Sequence, residues 1–213
     1  PFIVTGVLIM AVVDAWHGWE LLRDAIRTLN LPMTSLRIAE LGDQRYKYPI
    51  RLTKYLYESL GAFHASFDHN GKFGAFPQDL RKPLEYAIEH IGTFNLVTNY
   101  GVTEHICDDK RSDDVSPQLQ VFKTLHDLCC VGGIILHNVP AVGGCKGHGF
   151  WKYDVEFFNK LSAANGYFVV RNELKTVERK LDKVVTAIEG SRLKQDIHFD
   201  ENGVGIMTEK SKT

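Results

Sequence analysis

Apolar residues along this chain fall into short dense runs separated by longer stretches in which they recur every three or four positions. The short runs read as strands: Ser35–Leu41, Ala62–Phe67, the run from Phe94 through Leu96 and Val97, Ile134–His137 and Tyr167–Arg171. The periodic stretches read as helices. One is capped by Asp14 and runs to about Asn30 with Trp16, Trp19, Leu22, Ile26 and Leu29 on one face, and Pro32 stops it. A second covers Pro49–Leu60, with Leu52, Tyr55, Leu56 and Leu60 facing inward and Gly61 closing it. A third opens at Pro83 with Leu84, Ala87, Ile88 and Ile91. A fourth is launched by Ser116-Pro117, carries Leu119, Phe122, Leu125 and Leu128, and ends at Gly132-Gly133. A fifth is capped by Asp154, with Val155, Phe158 and Leu161 inward. Strands alternating with helices of roughly ten to fifteen residues predict an α/β domain, a doubly wound and mainly parallel sheet covered on both faces.

Between these elements, Asn70-Gly71 and Asn165-Gly166 are turns, and a short extended piece lies near Gln78-Asp79-Leu80. Asn138–Tyr153 reads as a long glycine-rich loop. The tail carries two readings: Leu174, Val177, Leu181, Val184, Val185 and Ile188 fit a helix, whereas Lys183–Ile188 also fits a late strand. Ile197–Thr208 looks like a hairpin about Asn202-Gly203. Phe2–Val13 is a mostly apolar run of twelve residues, too short to span a bilayer and without a basic flank or cleavage site, so it reads as a buried strand or helix. Starting at Pro1, the chain reads as processed, trimmed or a fragment.

Composition narrows the function classes. The 213 residues suffice for one large domain with its own core, and 44% hydrophobic against 24% charged residues is ordinary globular usage. With 25 Lys+Arg against 26 Asp+Glu, no basic excess points to nucleic acid or to a membrane surface. Cys107, Cys129, Cys130 and Cys145 form neither a CxxC pair nor a disulfide framework, which fits a reducing compartment, and a cytoplasmic location is expected.

The chemistry gathers where strands end. In an open α/β sheet, ligands bind beyond the carboxyl ends of the strands. Glu40, Gly42 and Gln44 follow the first strand, Asp68 closes the second, Asp79 follows the third region, and Asn99-Tyr100 close the central strand. A glycine there lets backbone approach a ligand, and a carboxylate can accept both hydroxyls of a ribose.

The order of these groups resembles that of the class I S-adenosylmethionine-dependent methyltransferases. In that family an acidic-x-glycine motif, an acid, an Asp-Leu type pair and a polar site follow strands one to four and line the cofactor cleft. Here they match Glu40-Leu41-Gly42, Asp68, Asp79-Leu80 and Asn99-Tyr100. Gly-Gly-Ile-Ile-Leu-His and Ala-Asn-Gly-Tyr further along look like the family too, so that the likeness covers about Ser35 to Arg171. The chain departs from the pattern in having one glycine in Glu-Leu-Gly-Asp-Gln-Arg-Tyr and in its spacing of 28 residues from Glu40 to Asp68. The resemblance implies a Rossmann-like methyltransferase domain over 35–213, with residues 1–34 as an apolar segment and an extra N-terminal helix packed on it, a single domain overall. It further implies S-adenosyl-L-methionine as cofactor, held by Glu40, Gly42, Gln44, Asp68 and Asp79, with Asn99 and Tyr100 flanking the methyl group of a small-molecule acceptor.

A set of histidines accompanies these positions: His105 beside Glu104, His126, His137 closing a strand, and His148 in Gly-Gly-Cys-Lys-Gly-His-Gly-Phe. His105, His137 and His148 are the candidate catalytic bases, since imidazole exchanges protons near neutrality. His126, between core positions of a helix, reads as structural. No HExxH or His-x-His spacing marks a metal site, and adjacent Glu104 and His105 would point apart in an extended chain. Two other functions are left open. One is a protein of this fold without methyl transfer, serving as a binding or partner subunit; the other is a metal- or histidine-dependent hydrolase. Tyr100, Phe150, Trp151 and Tyr153 either shape an acceptor pocket or form a lid on the core, and a homo-oligomer is left open.

Overall fold

The computed structural model describes residues 19–47, 50–107, 115–143, 148–177 and 180–189. The apolar N-terminal run, the Asp14 cap, Cys145 and the hairpin expected at 197–208 lie outside them. Among the described residues, seven strands form one sheet: β1 (Arg37–Leu41), β4 (Phe63–Asp68), β5 (Phe76–Pro77), β6 (Phe94–Tyr100), β7 (Cys129–Pro140), β8 (Phe168–Val177) and β9 (Lys180–Glu189). Two more, β2 (Arg45–Lys47) and β3 (Ile50–Leu52), pair only with each other. The helices are α1 (Trp19–Leu29), α2 (Thr53–Ser59), α3 (Ser116–Leu128) and α4 (Val155–Ala164).

The sheet order is β5-β4-β1-β6-β7-β9-β8. Pairing is parallel from β5 through β7, and β9 runs antiparallel between β7 and β8. From β1 the chain moves outward to β4 and β5, then returns to β6 on the other side of β1. The strand order therefore reverses at β1, and a crevice opens beyond the carboxyl ends of β1 and β6.

Both faces are covered, as dense apolar strands require. On one side Leu21, Leu22 and Ala25 of α1 and Tyr57 of α2 pack on Ile38, Leu96, Ile134 and Leu136. On the other, Val121, Phe122 and Leu125 of α3 and Phe158 and Leu161 of α4 pack on Ala39, Leu41, Phe67, Val97 and Ile135. Ile38 and Ala39 of β1, and Leu96 and Val97 of β6, alternate between these cores, the period of two expected of a strand. Among the described residues, no helix is long and apolar enough to cross a membrane.

Several elements differ from the sequence reading. The helix expected at Pro49–Leu60 begins only at Thr53, because the β2-β3 hairpin occupies the residues before it and Leu52 is extended. Its inward face is Thr53, Leu56, Tyr57 and Leu60, while Tyr55 is exposed. The helix expected after Pro83 is absent apart from a 3₁₀ turn at Ile88–His90. Ala87 has φ +55°, and Ile88 and Ile91 are exposed, so the apolar periodicity there has no surface to pack against. Helix α3 ends at Leu128, before the Gly132-Gly133 pair, which lies inside β7. Gly133 serves a close approach: a Cβ there would stand 3.0 Å from the Asn95 carbonyl on the neighbouring strand. The third region's strand lies at Phe76–Pro77, two residues before the expected place, and Asn138–Pro140 continue β7 instead of opening a loop. Of the two readings of the tail, the strand holds and lengthens to Lys180–Glu189, and Leu174 lies in β8 instead of a helix.

Asp154 caps α4 as its position suggested, its carboxylate accepting the Phe157 amide at 2.6 Å. Asp154→Ala should cost about 1 kcal/mol in urea unfolding; an unchanged midpoint would show that the cap contributes nothing.

Candidate functional site

The crevice at the strand reversal is a cleft of about 440 Å³, within the usual range of about 300–1,000 Å³ for small-molecule sites. Its walls come from four strand ends: Gly42 after β1, Asp68 and His69 at β4, Gln78 to Arg81 after β5, and Gly101, Val102, His105 and Ile106 after β6. The floor is mixed: Leu80 and Phe67 are apolar and buried, whereas Asp68 and Asp79 bring carboxylates.

Asp68 is the best-placed acid. Its Oδ2 accepts the Asp43 amide at 3.2 Å and its Oδ1 the Asn70 amide at 3.0 Å. These two bonds orient the group on the cleft wall, where the exposed His69 ring stands 3.2 Å from Oδ1. Gly42 stands beside it with φ +75°, donating its amide to the Phe67 carbonyl at 2.8 Å. A Cβ on Gly42 would come within 2.9 Å of Val102 Cγ2 and 3.0 Å of Gln44 Nε2. The glycine is therefore required by the turn itself, before any ligand is considered. Asp79 is clasped by Arg81 through two bonds, at 3.0 and 3.1 Å, and that guanidinium holds its carboxyl below the usual range.

The remaining expected site residues divide. Gln44 folds back, its Nε2 donating to the Leu41 carbonyl at 2.9 Å. Glu40 is buried under the sheet edge instead of facing the cleft. Its Oε2 accepts Thr53 Oγ1 at 2.6 Å and lies 3.3 Å from His64 Nε2. Tyr57 and Tyr100 share that pocket, where burial pushes both phenols up and the Glu40 charge adds to the effect. Tyr100 thus belongs to the α1/α2 face of the sheet, outside the cleft lining.

Asn99 is also buried and fully engaged. Its Oδ1 accepts the amides of Val102 (3.3 Å) and Thr103 (3.2 Å), and its Nδ2 donates to Thr103 Oγ1 (2.9 Å) and to His137 Nδ1 (3.0 Å). The two amides fix the orientation of the Asn99 side chain, which makes His137 Nδ1 an acceptor and leaves the ring proton on Nε2. His137 lies between Phe122 and Phe158, ring centroids at 5.5 and 4.8 Å. Burial pushes its pKa down to about 3. Asn99 and His137, expected at the cleft, instead brace from beneath the turn that forms its wall.

That turn is a 3₁₀ segment, Thr103–His105, and it brings together residues the sequence reading had set apart. In 3₁₀ geometry neighbouring side chains stand about 120° apart instead of on opposite sides. Glu104 consequently tucks inward, 1% exposed, while His105 stands at the cleft. The loop after β7 then descends on it: Phe150 and Trp151 amides donate to the Glu104 carbonyl at 2.7 and 3.1 Å. Gly149 lies so close that a Cβ would meet Glu104 Cγ at 2.7 Å. This delivers His148, whose Nε2 is 3.4 Å from Glu104 Oε1; His105 Nε2 is 3.9 Å from the same atom. The two imidazoles meet edge to face at 4.7 Å. Gln118 of α3 ties the assembly down, donating to the Thr103 and Ile106 carbonyls and accepting Tyr153 Oη at 2.8 Å. Trp151 Nε1 donates to the Ile106 carbonyl, so Trp151 and Tyr153 anchor the loop, whereas Phe150 is exposed. His126, expected to be structural, bonds Tyr167 Oη at 2.6 Å.

The fold is a known one. The chain is similar to an S-adenosylmethionine-dependent methyltransferase from Mesorhizobium loti, with 14% identity over 83% of this chain and 99% of that one and a TM-score of 0.55. It is similar to the N-methyltransferase NodS from Bradyrhizobium japonicum, with 11% identity over 81% and 93% and a TM-score of 0.54. It is also similar to the 1,6-didemethyltoxoflavin-N1-methyltransferase of Burkholderia thailandensis, solved with its acceptor and S-adenosylhomocysteine bound, with 11% identity over 90% of both chains and a TM-score of 0.52. No family model and no curated protein matches the sequence. The fold is that of the class I methyltransferases.

Proposed function

We propose that this chain transfers a methyl group from S-adenosylmethionine to a small-molecule acceptor. The observation that carries the reading is the cleft at the strand reversal with the oriented Asp68 carboxylate on its rim. The cofactor supplies the activated methyl, carried on a sulfonium, so the protein has only to align the partners and accept a proton. Asp68 would receive the ribose hydroxyls, and Leu80, Val102 and Ile106 offer an apolar wall for the adenine. Gly42 lets the β1 turn pass close to the cofactor. Asn99 acts by positioning, holding the 103–105 turn in place. His105, with Glu104 and His148 beside it, stands on the cleft wall where the acceptor would lie.

Calorimetric titration with S-adenosylhomocysteine tests this directly. Wild type should bind, and Asp68→Ala should bind at least tenfold more weakly, about 1.4 kcal/mol. A folded wild type that shows no binding heat would end the methyltransferase reading.

A further inference from the structure

Glu104 is a carboxylate 1% exposed, and neither of its oxygens makes a hydrogen bond. Such a group is normally paired or bound to a metal. Two imidazoles face it, their Nε2 atoms 3.4 and 3.9 Å from Oε1, at ion-pair distance but without a hydrogen bond. One donor atom from each of Glu104, His105 and His148 lies within 4.8 Å of the others. For metal–ligand bonds of about 2.1 Å, neighbouring ligand atoms stand about 3.0–3.4 Å apart. The Glu104–His148 distance already meets this, and His105, half exposed, has room to turn.

The surroundings hold the cluster open. Gly101 lies against the carboxylate from one side, where a Cβ would be 3.2 Å from Oε1, and Gly149 covers its stem from the other. The Phe150 and Trp151 amides lock the loop that carries His148 onto the Glu104 backbone, so backbone hydrogen bonds bring the three donors together.

We infer that Glu104, His105 and His148 bind one first-row divalent transition metal ion. Two imidazoles and one carboxylate suit Zn²⁺, Mn²⁺, Fe²⁺ or Co²⁺, whereas Mg²⁺ and Ca²⁺ favour sites made of oxygen donors. Three protein ligands leave coordination positions open. Because His105 lines the cleft, the ion would stand at its wall and bind an acceptor through a hydroxyl oxygen, lowering that hydroxyl's pKa. This last role rests on the methyl-transfer reading; the site itself does not.

The test is calorimetric titration of chelator-treated protein with Zn²⁺, paired with Co²⁺ absorption spectra, on wild type, Glu104→Gln and His148→Ala. His148 is exposed, so its replacement leaves the fold intact even where Glu104→Gln disturbs it. Wild type should bind one Zn²⁺ per chain, give ligand-field bands with Co²⁺, and ignore millimolar Mg²⁺. Each variant should lose at least tenfold in affinity. No Zn²⁺ binding by wild type, or equal binding by wild type and His148→Ala, overturns the proposal. Zn²⁺ binding without S-adenosylhomocysteine binding would uphold the site and remove its role toward a methyl acceptor.

Discussion

Gly42→Val is expected to weaken binding of S-adenosylhomocysteine by at least a hundredfold and to lower thermal stability. Two effects combine at this position. Gly42 has φ +75°, where an L side chain costs about 1–2 kcal/mol and a β-branched one more. The added Cβ would also meet Val102 Cγ2 at 2.9 Å, and Val102 is itself a wall of the cleft, so relief of the clash pushes that wall into the ligand space. Gly132→Val is the matched control. Gly132 has φ +76° but nothing within 4 Å of a new Cβ, so it should show only the conformational cost and bind like wild type. Calorimetry with thermal melts separates the two. If Gly42→Val and Gly132→Val bound the ligand equally, Gly42 would not lie at the cofactor site.

Stability should fall steeply on the acid side of neutrality because of His137. Its ordinary pKa of about 6.5 is reached in the unfolded chain, while burial between Phe122 and Phe158 pushes it down to about 3 in the folded protein. Between these values the unfolded chain takes up a proton that the folded protein refuses. The contribution is therefore fully present above about pH 6.5 and is lost progressively as pH falls toward 3, at up to about 1.4 kcal/mol per pH unit. Urea unfolding at pH 7.5, 6.5, 5.5 and 4.5 measures the slope. His137→Gln, which cannot titrate, should be less stable at pH 7.5 yet lose close to one proton's worth of that dependence. Parallel slopes for the two proteins would rule His137 out as the source.

Much of the architecture was legible because it rests on local chemistry. The strands β1, β4 and β6 were marked by dense apolar runs that both faces of a covered sheet require, and α3 and α4 by a periodicity that matches one buried stripe. The failures share a cause. After Pro83 the periodicity was present, but the fold supplies no surface for Ile88 and Ile91, so no helix forms. At Gly132-Gly133 the glycines looked like a helix end, whereas they allow β7 to approach β6 closely. Both depend on what lies opposite the segment, which no local window contains.

The site divides along the same line. Sequence by itself determined which strands deliver polar groups to one sheet edge, and so located the cleft and put Gly42, Asp68, Asp79 and His105 on its wall. It could not tell which face each side chain takes at the strand ends, since one residue of register exchanges core for cleft. Tertiary structure decided that Glu40 and Tyr100 turn into one core, that Asn99 and His137 turn toward the other, and that Gln44 folds back on β1. It also decided the pairing of Glu104 with His105 and His148. An extended chain separates adjacent side chains and leaves position 148 far away. A single 3₁₀ turn and a loop pinned by two amides bring all three donors to one point, because backbone hydrogen bonds between distant segments, and not spacing along the chain, set where they meet.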